Sequence, residues 1–425
     1  MNYLNLHLKR LKKKIFTDTT KGYVYYILGE GVSKGIVFFS IPFFTNILDK
    51  NQFGLLSLYW ITVPLFSVFF DFSQRSYVKN YFIHDKNNIL TLLSTLNLFI
   101  LCVFIIMSVI FYIKDYIGIF LINPTIDYFV LCSAAFFAMI ECSLSYFQIK
   151  GDFIKYNLTF LIRSSFPFLI SVPLMFYIYP NEYAFIISQL VVFLLIATFN
   201  LKKTNYTRNL QNVFELLRPS LIFSLPLIPA MLSVLALSYA DRFIINFYQG
   251  TVSVAEYSIG YTIGSVFAAI FLSTNKMWQK FILVSLKKNK IKKVRKAAKT
   301  YFFVILVIGI GFIFFGDYLI VLISNDSYLS ASNYITPIII GMFFYFLYTL
   351  YSNIPFFYKD VKYLMIPAIF AAIINIILNF IYIPKYGIIA AAYTTAISYF
   401  FQFLIIYFIC TKKYNIDILF NASKK

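Results

Sequence analysis

The sequence has few of the residues that keep a protein soluble in water. Only 13% of its 425 residues are charged, whereas 60% are hydrophobic and 21% are aromatic. A soluble domain of this size cannot bury that much apolar surface in one core. Apolar runs of roughly 20 residues, long enough to cross a bilayer, recur along the chain. The composition therefore excludes a soluble protein and predicts an all-α polytopic membrane protein.

Cysteine and histidine are also scarce, and this argues against a disulfide framework and a metal site. The cysteines all fall inside apolar runs, where they are expected to pack as small hydrophobic residues: Cys102, Cys132, Cys142 and Cys410. The histidines, His7 and His84, are far apart in the sequence and lie in polar flanks. We therefore expect no bound metal and no other cofactor.

Twelve apolar runs predict twelve membrane-spanning helices, six in each half of the chain. In the first half they lie near residues 22–47, 53–71, 89–113, 126–147, 156–178 and 182–200. In the second half they lie near residues 219–240, 253–274, 300–323, 334–355, 363–383 and 387–410. We expect an N-terminal lobe (1–200, starting with a basic arm), a cytoplasmic linker (201–218) and a C-terminal lobe (219–425).

The charge of the chain is strongly basic, with 37 Lys and Arg, 17 Asp and Glu, and a net charge of +20. Most of the basic residues fall in alternate connections, and the opposite set of connections holds only Lys50, Lys114, Arg242 and Lys385. This is a strong positive-inside bias, which predicts that both termini are cytoplasmic. Because the basic residues set the orientation, we do not expect nucleic acid as a partner.

The densest basic run, SLKKNKIKKVRKAAKT at residues 285–300, has two interpretations. It is either a retention signal that keeps a loop in the cytoplasm, or an interfacial segment attracted to anionic lipid or to a phosphorylated partner. The sequence alone favours the retention signal.

A faint internal repeat relates the two halves. NILDKNQFGLLSLYW (46–60) aligns with NFYQGTVSVAEYSIGY (246–261) when one gap is allowed, which places Gly54 over Ala255. Two halves of six spans have the same orientation, so such a repeat would relate them by an axis along the membrane normal. The pattern is consistent with two lobes that face a shared central cavity.

Four stretches share a pattern with one known family. They are FFTNILDKNQFGLLSLYW, SLPLIPAMLSVLALSYADRFIINFYQGTVSVAEYSIGY, TPIIIGMFFYFLYTLYSNIPFFYKDVKYL and INIILNFIYIPKYGIIAAAYTTAISY. Together they resemble the polysaccharide-exporter branch of the multidrug/oligosaccharidyl-lipid/polysaccharide (MOP) flippase superfamily. The last is close to the family's Asn…Leu-Asn…Ile-Pro-x-Tyr-Gly…Gly-Ala-Ala, with Ala390 where the family often has glycine.

The resemblance implies a fold of two six-helix lobes around a central cavity, like that of multidrug MATE transporters. It also implies a flippase for undecaprenyl-pyrophosphate-linked oligosaccharide (the Wzx type) in a bacterial inner membrane, for O-antigen or capsule synthesis. Transport would proceed by alternating access, driven by an ion gradient and without covalent chemistry. The implied partners are the lipid-linked oligosaccharide, membrane lipids, a polysaccharide polymerase and a chain-length regulator.

Two charges, Glu30 and Lys34, interrupt the first apolar run. Lys34 is about twelve residues into this span, or roughly 18 Å along a helix, which is close to the bilayer midplane. Because Glu30 and Lys34 are four residues apart, they can form a self-neutralised pair on one helix face. Alternatively, Lys34 faces the cavity and binds an anionic substrate, and Glu30 titrates during ion coupling.

Glu141 and Arg163 form a second charged set, at similar depth in the fourth and fifth spans. They are either a structural ion pair between adjacent helices, or groups with separate roles. In the second case Arg163 binds pyrophosphate, because its planar fork can hold two oxygens, and Glu141 titrates during ion coupling.

Further polar residues mark helix contacts and span ends. Asn375 and Asn379 share one face of the eleventh span and either hold neighbouring helices together or line the cavity and bind substrate. Asp71 with Arg75, at the inner end of the second span, and Asp241 with Arg242, at the outer end of the seventh, are candidate gate residues.

Three other functions have to be weighed. A multidrug antiporter of the same superfamily would favour carboxylates for cationic drugs, whereas Lys34 and Arg163 favour an anion. A peptidoglycan-precursor flippase tends to have spans beyond twelve. A membrane polymerase or glycosyltransferase would need a large outer loop or an acidic catalytic motif, and the sequence contains neither. We therefore do not expect an enzyme.

Overall fold

The computed structural model describes residue 29 and residues 31–33, 35–86, 88–201, 210–360 and 362–420. Within these ranges the chain forms helices and no strand. Glu30 and Lys34, the charges predicted within the first span, lie outside the described residues.

The helices of the first half begin with α1, a short apolar helix. Their bounds are α1 Gly31–Ile47, α2 Lys50–Asp71, α3 Arg75–His84, α4 Ile89–Tyr116, α5 Pro124–Lys150, α6 Phe153–Tyr177, α7 Tyr183–Leu201 and α8 Leu210–Ser224. The second half contains α9 Ile228–Gln249, α10 Thr251–Lys287, α11 Ile291–Phe314, α12 Gly316–Ile323, α13 Ser332–Phe357, α14 Lys362–Tyr386 and α15 Ile388–Lys413. Single 3-10 turns precede α9 and α13.

The spans predicted from hydropathy are confirmed over most of the chain. In the part that the structure describes, eleven helical segments are long and apolar enough to cross a membrane, and one of them, Val213–Gln249, joins α8 to α9. Part of the first predicted span lies outside the described residues. The protein is a multi-pass membrane protein.

Two local predictions were wrong or incomplete. The ninth span was predicted as one run over 300–323, but α11 ends at Phe314 and α12 begins at Gly316. Phe315 forms a turn between them. A side chain on Gly316 would meet Ile335 at 3.0 Å, so the glycine permits a close contact with α13 at this point. The connection after the second span contains a helix, α3, which hydropathy did not predict because its residues are mostly polar or aromatic.

The chain divides into two compact units. Unit 1 consists of Met1–Phe43 and Thr62–Ile228, and unit 2 consists of Phe44–Ile61 and Pro229–Lys425. The first residues of α2 therefore pack with unit 2, and its remaining residues pack with unit 1. The predicted lobe boundaries at 200 and 219 stay a prediction.

The core of unit 1 is formed by large side chains of α4 against small side chains of α5. Leu92 and Leu96 are buried against a row of alanines that includes Ala134 and Ala138. Small residues allow two apolar helices to approach closely, and van der Waals packing then stabilises the contact inside a bilayer. A similar approach places α1 on α6, where Ser33 hydrogen-bonds to Ser164.

In unit 2, α13 packs closely on α15. A side chain on Gly341 would lie 3.0 Å from the Cα atom of Ala396. Ala390, Ala391 and Ala392 are buried at the start of α15, as expected from the small-residue run in the sequence.

The start of α2 packs on the start of α10, also within unit 2. A side chain on Gly54 would lie 2.0 Å from the carbonyl oxygen of Thr251, so the two backbones are in direct contact. Asn51 hydrogen-bonds to Thr251, and Lys50 Nζ lies 2.5 Å from Glu256 Oε1. These are the two stretches that align as a repeat, and each runs from a short connection into a long helix.

A proline inside α13 leaves a carbonyl without its helical partner. Pro355 has no N–H, so the carbonyl of Tyr351, four residues earlier, receives no hydrogen bond from it. The thiol of Cys410 on α15 donates to this carbonyl instead, at 3.7 Å. All four cysteines are free thiols; Cys142 and Cys410 are buried, Cys132 is half-buried and Cys102 is exposed on an apolar helix.

Hydrogen bonds and ring stacking hold the connection between α13 and α14 against the end of α15. Asp360 Oδ2 accepts hydrogen bonds from Lys413 Nζ and from the hydroxyl of Tyr414, both at 2.6 Å. The ring of Tyr358 stacks on that of Tyr414 at 4.6 Å. The hydrogen bond from Lys413 is the largest cause that lowers the pKa of Asp360 below its ordinary value of 3.8.

Because Asp360 accepts these hydrogen bonds as a carboxylate, the stability of the protein should depend on pH in the acid range. Because the pKa of Asp360 is lower in the folded protein than in the unfolded chain, its contribution is present above about pH 4 and is lost as the pH falls through the lowered pKa. Wild type should therefore lose more thermal stability than Asp360→Asn on going from about pH 5 to about pH 3. Equal losses in unfolding temperature for the two proteins would contradict this assignment.

Candidate functional site

A tight turn between α2 and α3 brings two charges together in unit 1. Phe72 and Ser73 both have left-handed backbone conformations, with φ of 43° and 61°. The carboxylate of Asp71 accepts a hydrogen bond from Ser73 N at 3.0 Å, which supports this turn. The chain reverses, and Arg75 donates from Nε to Asp71 Oδ2 at 2.6 Å and from Nη2 to Oδ1 at 3.2 Å. The pair thus has a two-pronged geometry, which is the strong form of an ion pair.

Glu141 on α5 connects this pair to α6. Its Oε2 lies 3.8 Å from Arg75 Nη1, and its Oε1 accepts a hydrogen bond from Arg163 Nη1. The predicted depth match between Glu141 and Arg163 is therefore a direct contact. The sequence predicted two separate sets, Glu141 with Arg163 and Asp71 with Arg75. In the structure the four side chains form one network of two acids and two bases.

The four side chains of this network differ in accessibility. Asp71 is 1% exposed, Arg163 11%, Arg75 14% and Glu141 23%. Arg163 is also flanked by aromatic rings, with its Cζ 4.7 Å from the centre of Phe137 and 5.1 Å from that of Phe160. Asp71 is thus a buried anchor, while Glu141 and Arg163 keep partial access to their surroundings.

Arg163 retains hydrogen-bonding capacity. A guanidinium carries five N–H donors, and within the described residues Arg163 gives one of them to Glu141. The remaining donors, held between two rings, could bind phosphate oxygens. The network is neutral in total, so it can lie within an apolar unit at a lower cost than a lone charge. The substrate and ion-coupling roles of Arg163 and Glu141 stay predictions.

In unit 2, Asp241 and Arg242 lie inside α9 and contact tyrosines of α10. They were predicted at the outer end of the span, but the helix continues for about two more turns, to Gln249. Asp241 is fully buried and accepts hydrogen bonds from the hydroxyl of Tyr257 at 2.6 Å and from Arg242 N at 2.8 Å. The guanidinium of Arg242 donates to Ser238 O at 2.9 Å and covers the ring of Tyr261 at 4.2 Å. The inter-helix contact expected here is present, and its gate role stays a prediction.

The tyrosines beside this contact were missed by the sequence analysis. Tyr261 hydrogen-bonds to Tyr399 on α15, whose ring lies 5.1 Å from that of Tyr345 on α13. Tyr345 stacks on Tyr348 with ring centres 6.2 Å apart. The sequence did contain a signal for these tyrosines. Tyrosine normally concentrates at the ends of spans, so several tyrosines in the middle of apolar runs indicate a polar environment there.

Asn375 and Asn379 lie fully buried between α14 and α15. Asn379 Nδ2 donates to Asn375 Oδ1 at 3.0 Å, and Asn375 Nδ2 donates to Thr395 Oγ1 at 3.2 Å. The hydroxyl of Thr394 donates to Asn379 Oδ1. This is the geometry of amides that hold two helices together; a role in substrate binding stays a prediction.

Replacing Asn379 with alanine should lower stability by about 1–2 kcal/mol, because Thr394 and Asn375 lose a buried partner. Thr411→Val, which changes a hydroxyl bonded within α15 itself, is the matched control and should have little effect. Unfolding temperature and substrate translocation should be measured together. A stable Asn379→Ala protein that fails only in translocation would favour substrate contact over helix packing.

Most of the chain matches two known protein families. The model of the family described as "Polysaccharide biosynthesis protein" matches residues 19–277. The chain belongs to this polysaccharide biosynthesis family. The model described as MatE matches residues 226–381. The resemblance to the MOP superfamily, inferred from four sequence stretches, is thereby confirmed.

Solved structures share the fold of this polysaccharide biosynthesis protein at low identity. The lipid II flippase MurJ, in an inward closed conformation, is 17% identical with a TM-score of 0.63, and the match covers 92% of this chain and 87% of that one. An inward-facing multidrug resistance MATE family transporter of the MOP superfamily is 13% identical with a TM-score of 0.66, covering 93% and 94%. The predicted MATE-like helical fold is confirmed.

One curated relative is an uncharacterized membrane protein of Methanocaldococcus jannaschii. It is 27% identical over 185 residues, and the match covers 40% of this chain and 34% of the relative. The chain therefore spans about a third of the length of that relative.

Proposed function

We propose that this protein flips undecaprenyl-pyrophosphate-linked oligosaccharide repeat units, of the O-antigen or capsule type, across a bacterial inner membrane. The observation that carries the proposal is the match of the polysaccharide biosynthesis family over residues 19–277, more than half of the chain. The positive-inside bias supports an orientation with both termini in the cytoplasm. The repeat unit would then move from the cytoplasmic to the outer leaflet.

The cycle we propose is alternating access by two lobes, residues 1–200 and 219–425. With the lobes open to the cytoplasm, the pyrophosphate and sugar head enter while the lipid tail stays in the bilayer. Lys34 and Arg163 supply the positive charge that attracts the pyrophosphate, and the fork of Arg163 suits two phosphate oxygens. The lobes then reopen outward, and a polysaccharide polymerase and chain-length regulator act on the product.

We infer that the contact between Glu141 and Arg163 couples transport to an ion gradient, and the contact itself supports this role. When pyrophosphate oxygens take the guanidinium donors, Glu141 loses its principal cation. Glu141 then keeps only its more distant contact with Arg75, at 3.8 Å. A weakly paired carboxylate inside the bilayer is costly, and uptake of a proton removes that cost. Substrate capture would thereby be linked to proton uptake, with Glu30 as a second candidate for the same role.

The test is translocation of a labelled lipid-linked oligosaccharide in proteoliposomes. We compare wild type with Lys34→Ala and Lys34→Arg at equal protein content. Loss of a charge-assisted contact should lower the rate for Lys34→Ala about tenfold or more, and Lys34→Arg should keep part of it. Normal rates for both variants would remove Lys34 from the substrate site.

Export of cationic drugs is the second candidate function, because the MatE model matches residues 226–381. The same proteoliposomes should be tested for uptake of a lipophilic cation against a proton gradient. Drug transport without oligosaccharide translocation would replace the flippase proposal.

A further inference from the structure

The hairpin between α10 and α11, residues 285–300, is a fixed part of unit 2. Its turn has a left-handed residue, Asn289 with φ of 53°, and two backbone hydrogen bonds, Asn289 N to Leu286 O and Lys290 N to Ser285 O, both at 2.9 Å. The inner face of the first turns of α11 is fully buried through Val294 and Ala298. The hairpin therefore has a defined inner face, and its outer face is presented in one orientation.

The segment after α15 fastens this hairpin. Arg295 Nε donates to the carbonyl of Asp417 at 2.8 Å. The carboxylate of Asp417 is buried and accepts hydrogen bonds from the hydroxyl of Tyr351 and from Leu419 N, both at 2.9 Å. Ile418 beside it is fully buried. One basic residue of the run is thus committed to a structural contact.

The lysines of the hairpin form no comparable structural contact within the described residues. Seven of them are exposed and form no ion pair with a carboxylate within the described residues: Lys287, Lys288, Lys290, Lys292, Lys293, Lys296 and Lys299. Lys293 lies over the ring of Phe281 at 5.8 Å, which still leaves its ammonium donors available.

The spacing and depth of these lysines fit the surface of a membrane. Lys292, Lys296 and Lys299 are at positions i, i+4 and i+7, so they follow one face of α11 over about 10 Å. The apolar part of the same helix begins directly afterwards, at Tyr301. A helix that enters the hydrocarbon there places Lys299 and Lys296 within about 8 Å of it, at the level of the lipid headgroups. Lys292 is about 14 Å from the hydrocarbon, just outside the headgroups and within the reach of their charge.

We propose that this hairpin binds the phosphate headgroups of anionic phospholipids in the adjoining leaflet. The proposal goes beyond the flippase function and does not depend on its substrate. A signal that only retains a loop needs positive charge but no fixed geometry. Here the inner face is packed and Arg295 donates a hydrogen bond to Asp417. The unpaired lysines of α11 are exposed, and Lys296 and Lys299 lie at headgroup depth. An acidic protein partner would need no such depth.

The test is thermal unfolding of the purified protein in detergent, titrated with short-chain phosphatidylglycerol or with phosphatidylcholine. The test variant is Lys292→Gln/Lys296→Gln/Lys299→Gln. The matched control is Lys359→Gln/Lys362→Gln/Lys412→Gln, three exposed lysines from other parts of unit 2. Both variants should unfold at the wild-type temperature without lipid, because the changed side chains are exposed.

Phosphatidylglycerol should raise the unfolding temperature of wild type and control at low salt, and less so at high salt. The test variant should need about 25-fold more phosphatidylglycerol or more for half of the effect, since each of the two lysines at headgroup depth contributes about fivefold and Lys292 adds a smaller factor. Phosphatidylcholine should have little effect. Equal responses of test variant and wild type would overturn the proposal. The proposal would also be overturned if a poly-glutamate peptide raised the unfolding temperature as much as phosphatidylglycerol does. The same holds if inorganic pyrophosphate, at equal ionic strength, abolished the effect of the lipid.

Discussion

Glu141→Ala is expected to destabilise the protein by about 3–5 kcal/mol and to abolish translocation, because it leaves charges without their partner inside an apolar unit. Glu141 accepts a hydrogen bond from Arg163 and lies 3.8 Å from Arg75. Without Glu141, Arg75 is still paired with Asp71. Arg163, in contrast, has no other carboxylate partner among the described residues. The measurements are the unfolding temperature and the rate of oligosaccharide translocation in proteoliposomes.

A double variant separates stability from transport. Glu141→Leu/Arg163→Leu removes both charges and leaves the Asp71–Arg75 pair in place. Apolar replacement of a buried pair is often neutral, so most of the lost stability should return. Translocation should stay low, since the cation that we assign to the pyrophosphate is gone. If the double variant transports at the wild-type rate, the pair is only structural.

An exposed ion pair serves as the control for both experiments. The Lys155 side chain, paired with Asp152 at 2.9 Å, is 52% exposed. Lys155→Ala should leave the unfolding temperature nearly unchanged, because water screens such pairs. Translocation should be unaffected.

Gly54→Ala is expected to cost about 3 kcal/mol or more, at the upper end of the range for overpacking. The added Cβ would lie 2.0 Å from Thr251 O and 2.7 Å from Thr251 C. Both are backbone atoms, so no side-chain rotation relieves the clash, and α2 must move away from α10. That movement would also strain the contact between Lys50 and Glu256. Gly54→Val should be worse, and expression level and unfolding temperature should report both changes.

Gly311 provides a matched control for Gly54. It lies inside α11, and a Cβ at this position would meet nothing within 4 Å. Gly311→Ala should therefore be neutral or stabilise the protein by up to about 1 kcal/mol, because alanine loses less backbone entropy in a helix. If Gly54→Ala were as stable as Gly311→Ala, the backbone contact between α2 and α10 would be wrong.

The sequence predicted the spans well because a bilayer imposes one length and one polarity on every crossing helix. It also predicted that Glu141 and Arg163 lie at one depth, since consecutive spans run in opposite directions. The link from Glu141 to Arg75 could not be predicted in this way. It depends on two consecutive left-handed residues, Phe72 and Ser73, neither of which is a glycine.

Other features escaped prediction because they depend on tertiary contacts that hydropathy does not encode. The division between α11 and α12 lies where Gly316 packs closely against Ile335. The fastening of the basic hairpin depends on Asp417, more than a hundred residues further along the chain. For Asn375 and Asn379 the shared helix face was predictable. The choice between packing and cavity lining depended on where Thr394 and Thr395 of α15 lie.

The cysteines have a practical consequence for spectroscopy. Cys410 donates its thiol to the carbonyl that Pro355 leaves free, and Cys142 is buried. Cys102 is exposed on α4, a helix long and apolar enough to cross a membrane. Maleimide reagents react with thiolates in water, which these three positions do not favour, so only half-buried Cys132 needs checking as background. The natural sequence is thus close to a silent background for site-directed spin labels. Pairs of introduced cysteines at exposed positions such as Lys155 in unit 1 and Lys292 in unit 2 would report distances during a transport cycle without prior removal of the native thiols.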